Sequence, residues 1–288
     1  MRRESGDVVS TVVIYHANCP DGFAAAWSAR RAHPGSAVSG DIEFVPAQYG
    51  DAPPDVTGKH VVVVDFSFPR SVLLEMDTKA NSMVVLDHHK TAQKDLAGLP
   101  FCVFDMDRSG ARIAWEHWFG TEDVPALIRY VEDRDLWRFA LPWSREVSAY
   151  MSTLPRTFEA LDDLHSRLED EGVRVVGELG SIALRVTSQY VQAQLPRAQT
   201  VRIYGYDVPC INTTFAVSEL VGELAKSTPF AAGWFQREDG KFVYSLRSSA
   251  DSSVDVSAIA KYYGGGGHAH AAGFTTDTLH EPIQGEPE

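Results

Sequence analysis

The sequence VVLDHH at residues 84–89 decides the fold of this chain, because an apolar run of strand length ends there in an aspartate and two histidines. Two earlier apolar runs end in the same way, one at His16 and one at Asp65. Ligands of an open parallel sheet bind outside the carboxyl ends of its strands. The sequence therefore predicts that these side chains meet in one crevice and form a metal centre.

Segments of helical spacing separate these strands. Between residues 8 and 107, short Val- and Ile-rich runs alternate with predicted helices at 22–33, 69–80 and 109–119. This alternation is typical of a doubly wound α/β domain with a parallel sheet. Residues 124–195 lack strand signals and carry apolar residues at helical spacing, so they predict a helical connector.

Strand patterns return in the last third of the chain and predict a second, smaller α/β domain. Its predicted strands lie at 200–204, 230–235 and 242–246, with a helix at 217–226. A groove between two domains is then the expected place for a substrate. The predicted boundaries are 8–150 for the metal-binding domain, 151–196 for the connector, 197–278 for the substrate-binding domain and 279–288 for a polar tail.

The chain is acidic, with 26 Lys and Arg residues against 39 Asp and Glu residues among 288, a net charge of −13. A protein without a general basic field does not hold duplex DNA through charge, so no duplex partner is expected. An acidic protein that acts on an anion needs bound cations to reverse the local charge. The charge therefore favours a metal site and a small anionic ligand.

The cysteines indicate a reducing compartment. Cys19, Cys102 and Cys210 are widely spaced and form no CxxC pair, so neither a disulfide framework nor a zinc knuckle is predicted. The sequence start does not resemble a signal peptide, and no apolar run approaches the roughly 18 residues of a membrane span. We expect a cytoplasmic protein without a membrane partner. The sequence leaves a homodimer open, because no interface can be read from one chain.

At each strand end the ligand interpretation competes with an ordinary structural one. Asp21 opens a predicted helix and could be its N-cap, although nearby His16 favours a ligand pair. Asp65 could cap the next element, but Ser67 and Pro69 are available for that. The third strand end is the most specific, because three ligand-capable side chains there are costly to leave unpaired.

Two downstream segments are less specific on their own. The sequence EDRD at 132–135 lies in a predicted helix, where such a run is more often a solvated charged face than a ligand. The four glycines at 264–267 precede a short Ala-rich segment and predict exposed backbone amides and a helix N-terminus facing an anion. Arg247 would add a bidentate phosphate contact. A flexible glycine turn is the alternative.

Taken together, these segments resemble the DHH phosphoesterase superfamily. Residues 87–89 are the motif that names it, residues 16–26 resemble its first motif and Asp65 its second. Residues 105–111 and 130–137 resemble its later motifs. The segments that are similar to the accompanying DHHA1 domain are 245–248, 254–260 and 264–274. The resemblance covers the chain from about residue 12 to residue 274 and implies a DHH domain followed by a DHHA1 domain.

The resemblance implies a centre with two divalent metal ions. Asp65 would bridge them, His16 would hold the first, and Asp21, His88 and Asp135 would hold the second. Asp135 is chosen by its position before Leu-Trp, with Asp133 as the alternative. Oxygen and imidazole ligands suit manganese, and magnesium is the alternative ion.

The resemblance also implies roles for residues that face the substrate. His89 would face the substrate phosphate and assist catalysis, while Asp87 would orient the neighbouring imidazoles. The partner would be short single-stranded RNA or a small nucleotide. The residues implied to bind it are Arg247, Gly265, Gly266, Gly267 and His268.

The first motif departs from many relatives, which have Asp-x-Asp-Gly where residues 19–22 read CPDG. Asn18 would occupy the altered position if one residue were inserted. Cys19 as a thiolate ligand would favour zinc or iron, but a lone Cys after a strand is more often a small packed side chain. Cys19 is therefore not among the predicted ligands, and the departure predicts a weakened or altered first metal position.

The expected function is that of a metal-dependent phosphoesterase in which two metal ions activate water. Its substrates would be short oligoribonucleotides, 3′-phosphoadenosine 5′-phosphate, or linear or cyclic dinucleotides. Hydrolysis of polyphosphate or pyrophosphate is one alternative, and a catalytically weak nucleotide sensor is another. A structural metal site is disfavoured, because such sites are usually closed and sulfur-rich.

Overall fold

The computed structural model describes residues 10–17, 19–34 and 41–283. The chain divides into two compact units, Met1–Leu184 and Arg185–Glu288. Asn18, the alternative residue of the first motif, lies outside the described residues, as do the last five residues of the predicted tail.

The first unit is built on a five-stranded sheet in the order β2-β1-β3-β4-β5, with every neighbouring pair parallel. Its strands are β1 (Thr11–His16), β2 (Ile42–Ala47), β3 (His60–Val64), β4 (Ser82–Asp87) and β5 (Cys102–Phe104). The chain adds β2 on one side of β1 and all later strands on the other. The strand order therefore reverses between β1 and β3, where open α/β sheets bind ligands.

Both faces of this sheet are buried, which explains why its strands read as continuous apolar runs. Val12 and Ile14 pack in one apolar cluster, and Val13 between them packs in the cluster on the opposite face. Trp27 belongs to the second of these clusters, whereas Leu73 belongs to the first. The alternation follows from the two-residue period of a strand.

Helices alternate with the strands of this sheet along the chain and continue after its last strand. Ser109 accepts the Arg112 N–H and so caps one of them, and Thr157 caps another through the Ala160 N–H. The helices are α1 (Pro20–Ala32), α2 (Arg70–Lys79), α3 (Lys90–Asp95), α4 (Gly110–Phe119), α5 (Ala126–Asp135), α6 (Ser144–Ser152), α7 (Phe158–Ser166) and α8 (Val173–Gln194).

The second unit contains a six-stranded sheet in the order β10-β11-β9-β8-β7-β6, antiparallel except for the β7–β8 pair. Its strands are β6 (Gln199–Ile203), β7 (Tyr206–Asn212), β8 (Ala231–Gln236), β9 (Phe242–Arg247), β10 (Gly266–His268) and β11 (Ala271–Thr276). Its helices are α9 (Val217–Leu224) and α10 (Val256–Tyr262). The predicted fold class, a doubly wound parallel-sheet domain with a smaller α/β domain, is confirmed.

The predicted helix N-terminus after the glycine run is wrong. Helix α10 ends before the glycines, and Gly264, with φ of +81°, turns the chain away from it. Gly265 and Gly267 then lie against β11, where a Cβ on Gly265 would be 2.0 Å from the Gly273 carbonyl oxygen. The glycines therefore allow close pairing of β10 with β11, and no helix follows them among residues 268–283.

Within the described residues, no helix combines the length and apolar character needed to cross a bilayer.

Candidate metal centre

The metal centre is assembled at the carboxyl edge of the parallel sheet. His16 is the last residue of β1, Asp65 directly follows β3, and Asp87 ends β4 with His88 and His89 immediately after it. These three strands are neighbours. The sheet therefore brings together side chains that are far apart in the sequence, at the point where its strand order reverses.

Three carboxylates converge on one imidazole nitrogen at the centre of the site. His88 Nε2 lies 3.0 Å from Asp65 Oδ1, 3.5 Å from Asp21 Oδ2 and 3.6 Å from Asp135 Oδ2. Asp21, Asp65 and His88 are almost completely buried. The carboxylates come from α1, the end of β3 and the end of α5, so the tertiary fold alone places them together.

The electrostatics of this cluster favour positive charge at its centre. Burial raises the pKa of Asp21 well above its usual value, and the carboxylates of Asp135 and Asp65 raise it further. Burial opposes the charged form of His88, yet its carboxylate neighbours raise its pKa to about 10. Burial also disfavours ionised Asp65, but its interactions with His16 and His88 hold its pKa well below the usual range. Like charges at this spacing are costly in a buried site unless positive charge is present.

Several nitrogen and oxygen atoms of the site that could bind a metal ion have no hydrogen-bond partner in the part of the chain that the structure describes. They are buried and comprise His16 Nδ1, Asp65 Oδ2 and Asp135 Oδ2. Oxygen and imidazole atoms of this kind are ligands of divalent ions. In each of two groups, the ligand atoms lie within 4.8 Å of one another. The groups are Asp21, His88 and Asp135, and His16, Cys19 and Asp65. The donor set fits divalent metal ions.

Asp21 is not the N-cap of its own helix. The N-cap position of α1 is Cys19, and no side chain caps that helix. The Asp21 carboxylate instead accepts the backbone N–H groups of Gly110, at 2.6 Å, and Ala111, at 3.0 Å, in the first turn of α4. This contact joins α1 to the positive end of α4 and fixes the carboxylate beside His88.

Two glycines are required for the close packing around these ligands. A Cβ on Gly110 would lie 2.4 Å from Asp65 Cβ, and one on Gly22 would lie 2.5 Å from the His16 carbonyl oxygen. Gly110 was not predicted as a site residue, although it lies in the segment 105–111 that resembles a family motif. Its role depends on contact with distant residues, so the sequence around it carries no direct signal.

Asp65 has a left-handed backbone, with φ of +52°. A non-glycine residue in this region stores strain that the surrounding structure must compensate. The Asp65 N–H donates to the Leu86 carbonyl oxygen at 2.9 Å and so extends the pairing of β3 with β4. The strained turn directs the carboxylate toward His88 rather than along the strand.

Asp87 serves as an orienting group. Its carboxylate accepts the Ser67 hydroxyl at 2.5 Å and the backbone N–H groups of His88, at 2.7 Å, and His89, at 3.2 Å. It also lies 2.6 Å from His89 Nδ1, which fixes the orientation of that ring. With these contacts, Asp87 holds the His89 ring and the backbone of both histidines in place.

The two aspartates of the EDRD segment have different surroundings. Asp133 is buried and accepts the Ala140 and Leu141 N–H groups and the Ser144 hydroxyl, so it holds the turn between α5 and α6. Asp135 instead reaches His88 in the carboxylate cluster. The geometry places Asp135, and not Asp133, beside the other predicted ligands.

The predicted substrate-binding residues lie in the second unit. Ala271 of β11 pairs with Arg247 of β9 on one side and with His268 of β10 on the other, so the three form one row across the sheet. The Arg247 guanidinium donates to the Ser218 hydroxyl and to the Leu246 carbonyl oxygen, both at 2.8 Å. Gly265, Gly266 and Gly267 lead into the His268 end of this row.

Comparison with known proteins identifies the second unit. Residues 210–283 match the DHHA1 domain. An uncharacterized protein of Acanthamoeba polyphaga mimivirus, R106, is 30% identical over 283 residues, which cover 91% of this chain and 66% of that relative. This chain thus spans slightly less than two thirds of the length of that relative.

Two solved structures share the fold. The DHH domain of PF0399, described as a member of a family of ribosomal proteins, is 14% identical with a TM-score of 0.57, over 93% of this chain and 82% of that one. An exopolyphosphatase-related protein from Bacteroides fragilis is 12% identical with a TM-score of 0.52, over 94% and 88%. Residues 210–283 of the second unit thus match the DHHA1 domain, and the chain shares the fold of a DHH-domain structure along most of its length.

Proposed function

We propose that this protein is a metal-dependent phosphoesterase that hydrolyses short oligoribonucleotides or small nucleotides. The observation that carries the proposal is the convergence of Asp21, Asp65 and Asp135 on His88 Nε2, within 3.6 Å. A buried cluster of this composition costs folding free energy, because each desolvated carboxylate opposes the ionisation of the others. Such arrangements are typical of functional sites.

The proposed metal ligands belong to the two groups of candidate ligands described above. Asp21, His88 and Asp135 would hold one ion, and His16 and Asp65 would hold another, with Asp65 between the two groups. Divalent ions there would supply a nucleophilic water at neutral pH and neutralise charge on the phosphate. Manganese fits the oxygen and imidazole donors of the first group, and magnesium is the alternative.

The remaining roles are assigned to residues around these ligands. His89, oriented by Asp87, would hold or move a proton at the substrate phosphate. Tyr49 lies beside it, with its ring 5.7 Å from His16 and 6.2 Å from His89, and is 45% exposed. An exposed aromatic ring next to the ligands supports a nucleotide substrate, because a base can stack on it.

In the second unit, residues along the row across β9, β11 and β10 are proposed to bind the substrate. Arg247 offers a planar cation for a phosphate, and His268 stands at the other end of the row. Glycine backbone amides next to His268 would add hydrogen bonds. The residues proposed to contact the substrate are Arg247, Gly265, Gly266, Gly267 and His268.

The test is hydrolysis by the purified full chain, with Mn²⁺, Mg²⁺ or Zn²⁺ or with a chelator. The substrate panel contains a labelled RNA di- to pentanucleotide, 3′-phosphoadenosine 5′-phosphate, a linear and a cyclic dinucleotide, and polyphosphate. We expect Mn²⁺-dependent turnover of at least one nucleotide substrate. Turnover of polyphosphate alone would contradict the nucleotide assignment, and no turnover with any metal would contradict the enzyme assignment.

The matched variants are Asp65→Asn and Asp77→Asn. Asp65→Asn removes a central ligand charge, and we expect turnover to fall by at least about a hundredfold, as for the loss of a group acting in the transition state. Asp77 is an exposed carboxylate on α2, so Asp77→Asn should retain full turnover. Near-normal turnover by Asp65→Asn would contradict the proposed centre.

A further inference from the structure

The three cysteines of this chain have different surroundings. Cys102 packs against the apolar cluster of the first unit that contains Leu73, and Cys210 is buried in the apolar core of the second unit. Cys19 is in none of the apolar clusters formed by the described residues. The usual explanation for a buried free cysteine, that it packs as a small apolar side chain, therefore fits Cys102 and Cys210 but not Cys19.

The position of Cys19 on its helix does not explain it either. Cys19 is the N-cap residue of α1, a position where Ser, Thr, Asp and Asn are preferred because their side chains accept a backbone N–H. The Cys19 side chain makes no such cap hydrogen bond. The Gly22 N–H faces the sulfur, but sulfur is a weak acceptor, so Cys19 is a poor cap compared with Ser, Thr, Asp or Asn.

The Cys19 sulfur instead shares a donor group with two other ligand atoms. Ligand atoms of Cys19, His16 and Asp65 lie within 4.8 Å of one another. Asp65 is only 1% exposed, and its Oδ2 atom has no hydrogen-bond partner within the described ranges. His16 Nδ1, 3.6 Å from Asp65 Oδ2, is also without a hydrogen bond. A buried, unsatisfied carboxylate oxygen therefore faces the sulfur and nitrogen donors.

We propose that Cys19 is a metal ligand, and that the group it forms with His16 and Asp65 prefers thiophilic ions such as Zn²⁺ over Mn²⁺ and Mg²⁺. This inference rests on the proposed metal centre and deepens it. One sulfur, one imidazole and one carboxylate leave a fourth position open, as in catalytic zinc sites. On binding, the thiol proton passes to solvent as the sulfur–metal bond forms, without a change in oxidation state.

The inference makes the two donor groups chemically different. Asp21, His88 and Asp135 offer two oxygens and one nitrogen, which suit Mn²⁺ or Mg²⁺. The group with Cys19 contains a soft donor and suits Zn²⁺ or Co²⁺. The centre would then bind two kinds of ion with unequal affinity, and this asymmetry would set its metal preference.

The experiment is a Co²⁺ titration of the metal-free full chain, followed by near-ultraviolet absorption and, in parallel, by calorimetry. A thiolate bound to Co²⁺ gives a sulfur-to-cobalt charge-transfer band that oxygen and nitrogen ligands do not give. We expect this band in the unmodified chain and in Cys102→Ser, and we expect it to be absent in Cys19→Ser and Cys19→Asp. Serine and aspartate are good N-caps, so both variants should keep α1 folded.

Metal competition provides the second readout. Cys19→Asp should lower the ratio of Zn²⁺ affinity to Mn²⁺ affinity by at least about tenfold, the loss that even an outer-shell substitution can cause. Calorimetric Co²⁺ binding without the band, or a band that persists in Cys19→Ser, would overturn the inference and leave the proposed metal centre intact. No calorimetric binding of Co²⁺, Zn²⁺ or Mn²⁺ would overturn both.

Discussion

At the scale of single residues, the site depends as much on small neighbours as on the ligands. The Asp65 side chain occupies the space that a Cβ on Gly110 would need, and Asp21 accepts the N–H of the same glycine. The missing side chain at Gly110 therefore leaves space for Asp65, and the Gly110 N–H binds the Asp21 carboxylate. A residue with no side chain contributes to the geometry of two ligands.

We predict that Gly110→Ala displaces Asp65 and abolishes high-affinity Mn²⁺ binding. The new methyl group would lie 2.4 Å from Asp65 Cβ, so stability should fall by about 1–3 kcal/mol, the usual cost of overpacking. Calorimetric Mn²⁺ titration and urea unfolding measure the two effects.

Gly222→Ala is the matched control for this substitution. Gly222 lies within α9, and a Cβ there would meet no atom within 4 Å. Alanine should leave Mn²⁺ binding unchanged and stabilise the chain by up to about 1 kcal/mol, because glycine lowers helix stability. Unchanged Mn²⁺ binding in Gly110→Ala would show that Asp65 tolerates the methyl group and would contradict the prediction.

The two aspartates of the EDRD segment allow a separation of structural and functional carboxylates. Asp133→Asn should destabilise the first unit by about 1–3 kcal/mol, because an amide group would replace a buried acceptor facing the Ala140 and Leu141 N–H groups and the Ser144 hydroxyl. Asp135→Asn should not destabilise the metal-free chain. Burial raises the pKa of Asp135, and the charge of His88 offsets this only in part, so the ionisation of Asp135 at neutral pH costs folding free energy.

Urea unfolding in chelator, followed by tryptophan fluorescence, measures both variants. The expected order of stability is Asp135→Asn equal to or above the unmodified chain, with Asp133→Asn below it. Mn²⁺ affinity should separate the variants in the opposite way: Asp135→Asn should lose affinity for Mn²⁺, and Asp133→Asn should retain it. A destabilised Asp135→Asn in chelator would indicate that Asp135 has a structural role.

At the scale of elements, the sequence predicted where the parallel strands end but not how the glycine segment folds. The apolar runs before His16, Asp65 and Asp87 are local signals, and a parallel sheet necessarily gathers the ends of its strands at one edge. The fold of residues 264–267 depends on pairing with β11, which the glycines themselves do not encode. A run of glycines is compatible with a helix start, a turn or a close strand pair, and only distant partners select among them.

The sequence likewise predicted most of the candidate metal ligands but not the contacts that hold them. The structure brings His16, Asp21, Asp65, His88 and Asp135 together. The first four follow predicted strands or open a predicted helix, whereas Asp135 was predicted only from the resemblance. The sequence did not reveal that α4 holds Asp21 through its first backbone amides, because that contact joins positions 89 residues apart. The sequence raised Cys19 as a thiolate ligand but favoured a packed side chain, because the surroundings of the sulfur become visible only in three dimensions.

At the scale of the whole molecule, the net charge of −13 and the buried carboxylates have a common consequence. Ionised groups of one sign repel one another, and the repulsion is strongest where they are desolvated. Divalent ions would reduce this repulsion at the buried carboxylates, where it is strongest. The chain combines a net negative charge with a carboxylate centre, so affinity for the proposed anionic substrate would have to come from local cations rather than from a long-range field.

The wide separation of the ligands along the chain bears on when an ion can enter during folding. Closing a long loop costs conformational entropy before the contacts it brings become favourable. Asp21 binds the start of α4 beside a sheet in which β1, β3 and β4 are paired, and we predict that this pairing precedes the contact during folding. An ion would then not guide the early chain. Mn²⁺ should leave the refolding rate unchanged and slow unfolding, whereas Asp65→Asn should refold and unfold at rates independent of Mn²⁺. Stopped-flow fluorescence measures both rates, and faster refolding in Mn²⁺ would mean that the ion acts earlier. The bound ion would then set the lifetime of the native state, not the route by which the chain reaches it.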